Sequence, residues 1–195
     1  LAKAVNCMAP VDGEPDNECA HCAAINEGRA LDLIEIDAAS NRGIDDIRAL
    51  SDRIGFAPNE FQYKVYIVDE VHMLTGPAFN ALLKTLEEPP SHAIFVLATT
   101  EAFKVPATIV SRCQRYDFRR ISLDSMIGRL SGLCDKEDIE ASQEALGIVA
   151  RAATGSLRDA ENLLEQAVVS YGSPLSADQV REMLGLGGDE QALKL

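Results

Sequence analysis

The sequence predicts an α/β domain with a mostly parallel sheet, followed by an all-helical domain. Short apolar runs alternate with segments of helical period over residues 33–98, which is typical of a parallel sheet. The runs are Leu33–Ile36, Val65–Val68 and Ile94–Ala98. After about Ser122 no further strand-like run occurs and only helical patterns follow. We therefore predict one domain over residues 1–121 and a second over 122–185.

Two helices are predicted between the apolar runs, because apolar residues recur there on one helical face. In the first helix, which should follow Gly43, they are Ile44, Ile47, Leu50 and Ile54. In the second they are Phe79, Leu82, Leu83 and Leu86. Pro77 suits the first turn of the second helix, and Pro89-Pro90 should end it. Residues 114–118 alternate like a short last strand.

The helical domain should begin with an amphipathic helix that carries Met126, Ile127, Leu130 and Leu133. Ser156 and Ser176 each precede a residue, Asp159 or Gln179, that suits a capping box at a helix N-terminus. Helix C-termini are expected at the glycines of this domain. These glycines are Gly155, Gly172 and Gly185.

Composition excludes several classes of protein. Of 195 residues, 47% are apolar, which suffices for a sizeable core of a soluble globular protein. The sequence has no apolar stretch of bilayer length and no secretion signal, so we expect a cytoplasmic protein without membrane contact. The net charge of −13 argues against a self-sufficient nucleic-acid surface. Any contact with DNA must therefore be shared with partners.

The five cysteines do not suggest a disulfide framework in a chain of this length. Cys7, Cys19 and Cys22 cluster near the start. Cys113 and Cys134 stand alone, and we expect them to be small core residues.

The most informative segment is the apolar run from Lys64, which ends in Asp69-Glu70. A buried parallel strand reads as a continuous apolar run, and two acids at its carboxyl end have the form of a Walker B motif. Asp69 would hold Mg²⁺ and Glu70 would face the attacking water. The alternative is a solvated strand end without a catalytic role.

Three further residues are candidates for contacts with a nucleotide. Thr100 follows the third run at the same edge of the sheet and would orient water or touch a phosphate, unless threonine merely suits a strand end. Arg112 follows a short helical turn and forms either a structural ion pair or a contact with a neighbouring subunit's phosphate. Arg158 lies in the first helical turn, where a cation is mildly unfavourable, and pairs either with an anionic ligand or with Asp159 or Glu161.

The order of these motifs strongly resembles the γ/τ subunits of the bacterial DNA polymerase III clamp loader, a family of AAA+ ATPases. The matching segments are KVYIVDEVHML, FNALLKTLEEPP, LATTE, SRCQRYDF and GSLRDAENLLEQA. The resemblance implies a RecA-like parallel sheet between helices, with a small helical lid and, at 186–195, the start of a connection to a collar domain. It also implies that Asp69 and Glu70 bind Mg²⁺ and activate water. By the same match, Thr100 resembles sensor 1, Arg112 the arginine finger and Arg158 sensor 2.

The family carries a zinc module with cysteine ligands before the strand that reads DLIEI here. Cys7, Cys19 and Cys22 match it, but the remaining ligand position holds Asp16. A carboxylate can coordinate zinc and so can the nearby His21, so a site of three cysteines with Asp16 or with His21 remains chemically possible. A labile disulfide between Cys19 and Cys22 is the less favoured alternative.

The sequence contains no G-x-x-x-x-G-K-[ST] phosphate loop, which the family carries upstream. We therefore expect this chain to be a fragment that binds ATP poorly and is inactive by itself. The resemblance implies an ATP-driven motor of the polymerase holoenzyme that loads the sliding clamp onto primer-template DNA together with other clamp-loader subunits. Two alternatives are the non-hydrolysing, delta-prime-like sister subunit and a zinc-stabilised adaptor.

Overall fold

The computed structural model describes residues 1–186. Contacts divide the chain into two units, Leu1–Arg115 and the part from Tyr116 onward. The domain boundary that we predict between residues 121 and 122 stays a prediction. The predicted start of a connection at 186–195 lies, apart from Leu186, outside the described residues.

The first unit is an α/β structure with a three-stranded parallel sheet in the order β1-β2-β3. Its elements are α1 (Ala2–Asn6), α2 (Ala20–Asn26), β1 (Leu33–Asp37), α3 (Ile44–Ile54), β2 (Lys64–Asp69), a 3₁₀ turn (Val71–Met73), α4 (Gly76–Glu87), β3 (Ala93–Leu97), a second 3₁₀ turn (Ala102–Lys104) and α5 (Ala107–Val110). All three predicted strands and both predicted helices between them are confirmed.

The apolar faces of α3 and α4 form the core of this unit together with the central strand. Ile47 and Leu82 are fully buried, as is Val68 of β2. α4 begins as predicted, with a proline in its first turn and with the Thr75 side chain accepting a hydrogen bond from the Ala78 amide. Because β2 is flanked by two strands, its residues are the most buried of the sheet, as its apolar run predicts.

The register of the sheet places the ends of the strands together. Asp37 is aligned with Asp69, and Val68 with Leu97. The residues that follow β1, β2 and β3 therefore share the carboxyl edge of the sheet, where ligands bind in open α/β sheets.

The second unit is helical and has its own core, which confirms the change of structure after about Ser122. Its helices within the described residues are α6 (Leu123–Lys136), α7 (Gln143–Ala152), α8 (Leu157–Tyr171) and α9 (Ala177–Met183). The three predicted glycines all have positive φ beside helix C-termini. Gly155 is required there, because a Cβ at φ +90° would lie 2.7 Å from Cβ of Arg120.

Three predictions about local structure are wrong. Residues 114–118 form no strand, because they pair with none of the three described strands, and Tyr116 and Phe118 are exposed. Cys113 is exposed, whereas Cys134 is buried as expected. Ser156 accepts the Asp159 amide without the reciprocal bond, since aspartate is one methylene shorter than the usual glutamate, whereas Ser176 and Gln179 form both bonds.

Among the described helices, none has the length and apolar content needed to cross a membrane.

Candidate functional site

Asp69 and Glu70 lie at the carboxyl edge of the sheet, directly after the buried part of β2. Glu70 has a left-handed backbone (φ 46°, ψ 44°), and its amide donates to Oδ1 of Asp69 over 2.9 Å. A non-glycine residue in this conformation costs about 1–3 kcal/mol, and such residues concentrate at functional sites. The turn directs the two carboxylates differently even though they are adjacent in sequence.

The Glu70 carboxylate is bound by the residue that follows β3. The Thr100 amide donates to Oε2 of Glu70 over 3.1 Å, and the Thr100 hydroxyl lies 3.0 Å from the same oxygen. The structure thus brings together two of the candidate residues that lie 30 positions apart. A hydroxyl and an acid in contact at a strand edge can orient a water molecule between them and a bound phosphate.

Thr99, His72 and Glu101 complete this arrangement, and sequence reasoning missed the last two of these. His72 lies between Glu70 and Glu101, with Nδ1 2.9 Å from the Thr99 hydroxyl. We call Glu70, His72, Thr99, Thr100 and Glu101 the Glu70 cluster. Lys104 donates to Glu101 over 2.7 Å and is the main cause that lowers the pKa of this acid. His72 and Glu101 lie in two of the segments that resemble the family, KVYIVDEVHML and LATTE, near two predicted strand ends, and this is the signal that could have identified them.

Asp37 is a third acid at the same edge, and the sequence analysis did not select it. Its carboxylate accepts bonds from the Ser40 hydroxyl (2.6 Å) and the Ala39 amide (2.8 Å), and the Ser40 bond is the main cause that lowers its pKa. The carboxylate is thus engaged in its own turn. Its position after a predicted strand is the signal that could have identified it.

Arg112 forms an ion pair within its own chain. Nη2 donates to Oε1 of Glu87 over 2.7 Å, and Nη1 donates to the Thr108 carbonyl over 2.7 Å. This is the structural ion pair that the sequence left open as one alternative. The side chains of Arg112 and Glu87 are 35% and 50% exposed. A pair this exposed contributes only about 0–1 kcal/mol and is easily exchanged for another anion.

Arg158 is exposed in the first turn of α8. Within the described residues it forms no ion pair with Asp159 or Glu161, which was the alternative to an anionic ligand. Its helix begins with the Ser156 side chain accepting the Asp159 amide. The guanidinium is therefore available to a ligand.

The predicted metal ligands converge in the first unit. One donor atom each from Cys7, Asp16, Cys19 and Cys22 lies within 4.8 Å of the other three. The α2 helix begins immediately after Cys19, which places Cys22 on its first turn. We call residues 7–22 the cysteine module. His21 is not in this donor group, and its Nδ1 donates to the Asn6 carbonyl over 2.8 Å.

The donor set fits zinc, which takes four thiolate, imidazole or carboxylate ligands. Amides of Cys19 and Glu18 hold the pKa of Asp16 well below its usual range. Backbone bonds from Met8 and Cys22 lower the pKa of Cys19. Burial raises the pKa of Cys22 to about 12. A metal ion would therefore have to displace a proton from the buried Cys22 thiol, whereas Asp16 offers an ionised oxygen.

The cysteine module is attached to the segment before β2. Asn6 exchanges two side-chain hydrogen bonds with the backbone of Tyr63, at 2.9 and 3.1 Å. His21 packs on Phe61 with a centroid distance of 4.8 Å. The segment is fixed in turn by the buried Asp32 carboxylate, which accepts the amides of Asn59, Glu60 and Phe61.

Comparison with solved structures shows the class of fold. The RuvB Holliday junction branch migration motor of Thermotoga maritima matches with a TM-score of 0.66 over 86% of this chain and 56% of that chain. At 16% identity, this likeness concerns the fold alone. The first unit, with its parallel sheet, and the helical unit that follows define an AAA+ fold.

Sequence comparison shows the family. The family model described as DNA polymerase III, delta subunit, matches residues 1–122, and the ATPase lid domain of the DNA polymerase III clamp loader subunit matches residues 126–173. The tau subunit of Bacillus subtilis is 55% identical over 95% of this chain and 33% of its own length. The gamma subunit of Buchnera aphidicola subsp. Baizongia pistaciae is 38% identical over 99% of this chain and 52% of its own length.

The chain belongs to the gamma/tau family of DNA polymerase III subunits. It spans between a third and about half of the length of these two relatives.

Proposed function

We propose that this chain is part of the ATP-driven motor subunit of a clamp loader, which loads a sliding clamp onto primer-template DNA for DNA polymerase III. The observation that carries this proposal is the contact of Glu70 with Thr100 beside Asp69 at the carboxyl edge of the sheet. A subunit that never hydrolyses ATP has no chemical need for this arrangement.

Each residue has a distinct part in hydrolysis. Asp69 would hold Mg²⁺, which neutralises charge on the phosphates when bound. Glu70 would take the proton of the attacking water, and Thr100 would keep the Glu70 carboxylate in place and sense the phosphate. Arg158 of the helical lid would bind the nucleotide anion, which is consistent with its exposed guanidinium and with the lack of an ion pair to it among residues 1–186.

Arg112 is proposed to act on a neighbouring subunit. Its bond to Glu87 is weak enough to exchange for a phosphate when subunits assemble. Nucleotide between subunits would then favour the ordered ring, and hydrolysis would loosen it. Because the chain has a net charge of −13, DNA would be held by surfaces pooled from several clamp-loader subunits.

The cysteine module is proposed to hold structural zinc through Cys7, Asp16, Cys19 and Cys22. The support is the convergence of these four donor atoms in a group that does not include His21. Elemental analysis of the purified protein tests the proposal, with one zinc per chain expected. A metal-free protein with a disulfide between Cys19 and Cys22 would contradict it.

The sister-subunit alternative is favoured by one observation, the match of residues 1–122 to a model described as the delta subunit. It predicts that the Asp69-Glu70 pair and Thr100 have no function. The zinc-adaptor alternative makes the same prediction, so one experiment tests both.

The experiment is Glu70→Gln in the full-length protein assembled with its partner subunits, since the 195 residues contain no phosphate loop. We expect ATP turnover to fall by about 100- to 10,000-fold with ATP affinity little changed, because glutamine keeps the shape and removes the base. Glu35→Gln, at an exposed position of β1, is the matched control. Unchanged turnover in Glu70→Gln would contradict the proposed role and favour the alternatives.

A second experiment tests the role of Arg112 in the assembled ring. Arg112→Ala should leave nucleotide binding by the isolated subunit unchanged but reduce turnover in the ring by about 1,000-fold. Arg48→Ala is the control, because Arg48 also forms an exposed ion pair, with Asp45. Equal turnover of wild type and Arg112→Ala rings would show that Arg112 is only structural.

A further inference from the structure

His72 is a nearly buried histidine beside the proposed base, and the proposed mechanism gives it no role. Its side chain is 6% exposed, and it lies in the 3₁₀ turn two residues after Glu70. Polar side chains that are buried to this degree need hydrogen-bond partners. Both of its ring nitrogens have them, and all of these partners belong to the Glu70 cluster.

The Nδ1 side of the ring faces Glu70. Nδ1 lies 3.2 Å from Oε2 of Glu70 and 2.9 Å from the Thr99 hydroxyl. Oε2 is also the atom that accepts the Thr100 amide. His72 and Thr100 therefore contact the same carboxylate oxygen from the two strand ends, β2 and β3.

The Nε2 side of the ring is fixed by Glu101. Nε2 lies 3.1 Å from Oε2 of Glu101. A carboxylate only accepts, so the ring bonds both acids with a hydrogen on each nitrogen, Nε2 toward Glu101 and Nδ1 toward Glu70. Glu101 is held in place by Lys104 at 2.7 Å and by its own amide, which donates to the Thr99 hydroxyl. The ring is thus held on one edge by Glu101 and presents its other edge to Glu70.

We propose that His72 is a positioning residue that holds the Glu70 carboxylate against Thr100 through its Nδ1 edge. The inference rests on the proposed function, in which Glu70 activates water. Glu70 itself has the left-handed backbone conformation, and its side chain is flexible, so Thr100 alone restrains the carboxylate from the β3 side only. The contact of His72 with Oε2 restrains the Glu70 carboxylate from a second side. A displacement of about 1 Å at a reacting group can cost about 100-fold in rate.

Two substitutions of His72 distinguish the contribution of Nδ1 from that of Nε2. The side-chain amide of asparagine reaches about where Nδ1 lies, and that of glutamine reaches about where Nε2 lies. We therefore expect His72→Asn to keep kcat within about threefold of wild type, whereas His72→Gln and His72→Ala lose about 10- to 100-fold at unchanged KM. His92→Gln is the matched control, because the His92 ring bonds the Ile54 carbonyl and takes no part in the Glu70 cluster.

A second measurement does not depend on activity. Amide hydrogen exchange at Thr100 reports whether its bond to Glu70 persists, and we expect about tenfold faster exchange in His72→Gln than in wild type or His72→Asn. Thermal melting establishes that the compared variants are folded. If His72→Ala does not fold, the asparagine and glutamine variants decide.

Equal kcat and equal Thr100 exchange in His72→Asn and His72→Gln would overturn the inference. Loss of kcat in both without any change of exchange at Thr100 would also overturn it, because Glu70 would then be held without the histidine. Failure of the proposed function has a different result, namely unchanged turnover in Glu70→Gln.

Discussion

The Glu70 cluster and the cysteine module are both sets of polar side chains in the first unit, but different forces hold them in place. Cluster residues follow strands β2 and β3, whose packing in the core sets their positions before any ligand binds. Module residues lie in the chain that follows α1 and in the first turn of α2, a helix of seven residues. Among the described residues of the module itself, only Cys22 is buried. A core therefore positions the cluster, whereas the module has little buried surface of its own, and we expect the proposed zinc to contribute to its stability.

Asp32 fixes the segment before β2 on which His21 of the module packs, and its removal should have the largest effect on stability. Its carboxylate is 1% exposed and accepts bonds at 2.8–3.0 Å from the amides of Asn59, Glu60 and Phe61 and from the Asn59 side chain. Asp32→Ala leaves these donors without a partner and should lower the free energy of unfolding by roughly 3–4 kcal/mol. Denaturant titration measures this change. Asp52→Ala, at an exposed position of α3, should stay within about 0.5 kcal/mol.

The same bonds predict a pH dependence. Burial opposes ionisation of Asp32, but the amides of Glu60, Asn59 and Phe61 outweigh it and lower the pKa of the folded state. Stabilisation by Asp32 is therefore present above the unfolded pKa of about 4 and is lost as the pH falls through the folded pKa. The stability difference between wild type and Asp32→Asn should shrink below about pH 4. A constant difference would contradict this account.

Cys22→Ser tests whether zinc holds the cysteine module, and should have the next largest effect. Loss of a thiolate ligand should weaken zinc binding by about 100-fold, or roughly 2.7 kcal/mol, as measured by chelator competition. Cys113→Ser should change nothing, since Cys113 is exposed and outside the donor group.

Removal of zinc by a chelator tests whether the cysteine module and the strand that carries the Glu70 cluster are stabilised independently. Removing zinc should accelerate hydrogen exchange over residues 7–26 and leave the amides of β2 protected, because the core rather than the metal positions the strand. Equal loss of protection in both regions would show that they form one cooperative unit.

The sequence predicted the elements that the core holds in place, and it failed for features that depend on contacts between distant parts of the chain. β2 was predictable because a strand buried on both sides must be continuously apolar, and α4 because Pro77 and Pro89 mark its limits. The strand predicted at 114–118 failed because alternation describes one strand only, whereas a strand requires a hydrogen-bonded partner. The prediction that Cys113 is buried was wrong for a similar reason, since burial of a residue depends on which other residues pack against it.

Within the site, the sequence identified residues with recognisable motifs but not their supports. Contact of Thr100 with Glu70 follows from two parallel strands ending at one edge. His72 and Glu101 belong to no pattern, because their meeting depends on the 3₁₀ turns that follow the two strands. The bond of Arg112 to Glu87 was one of two alternatives, and only the relative position of α4 and α5 selects it.

Asp16→Cys tests the ligand that departs from the family pattern. A fourth thiolate should increase zinc affinity by about tenfold, or roughly 1.4 kcal/mol, because zinc prefers thiolate to carboxylate in a site of this kind. The zinc content should remain one per chain, and ATP turnover in the full-length assembly should not change. Glu14→Cys, at an exposed position of the same loop, should leave the affinity unchanged. A gain in affinity in both variants would mean that any added thiol helps and that Asp16 is not a ligand.

His21→Ala should have the smallest effect and distinguishes an aspartate site from a histidine site. His21 donates to the Asn6 carbonyl and packs on Phe61, so its loss should lower the free energy of unfolding by about 1 kcal/mol. The zinc stoichiometry should stay at one and the affinity within about twofold, because four other donors converge without it. His92→Ala removes one carbonyl bond of the same kind far from the module and serves as the control. Loss of zinc in His21→Ala alone would mean that the imidazole turns to the metal and that Asp16 serves only to accept the amides of Glu18 and Cys19. In that case metal binding would break the bond of His21 to the Asn6 carbonyl, and Asp16 would keep its bonds to the Glu18 and Cys19 amides.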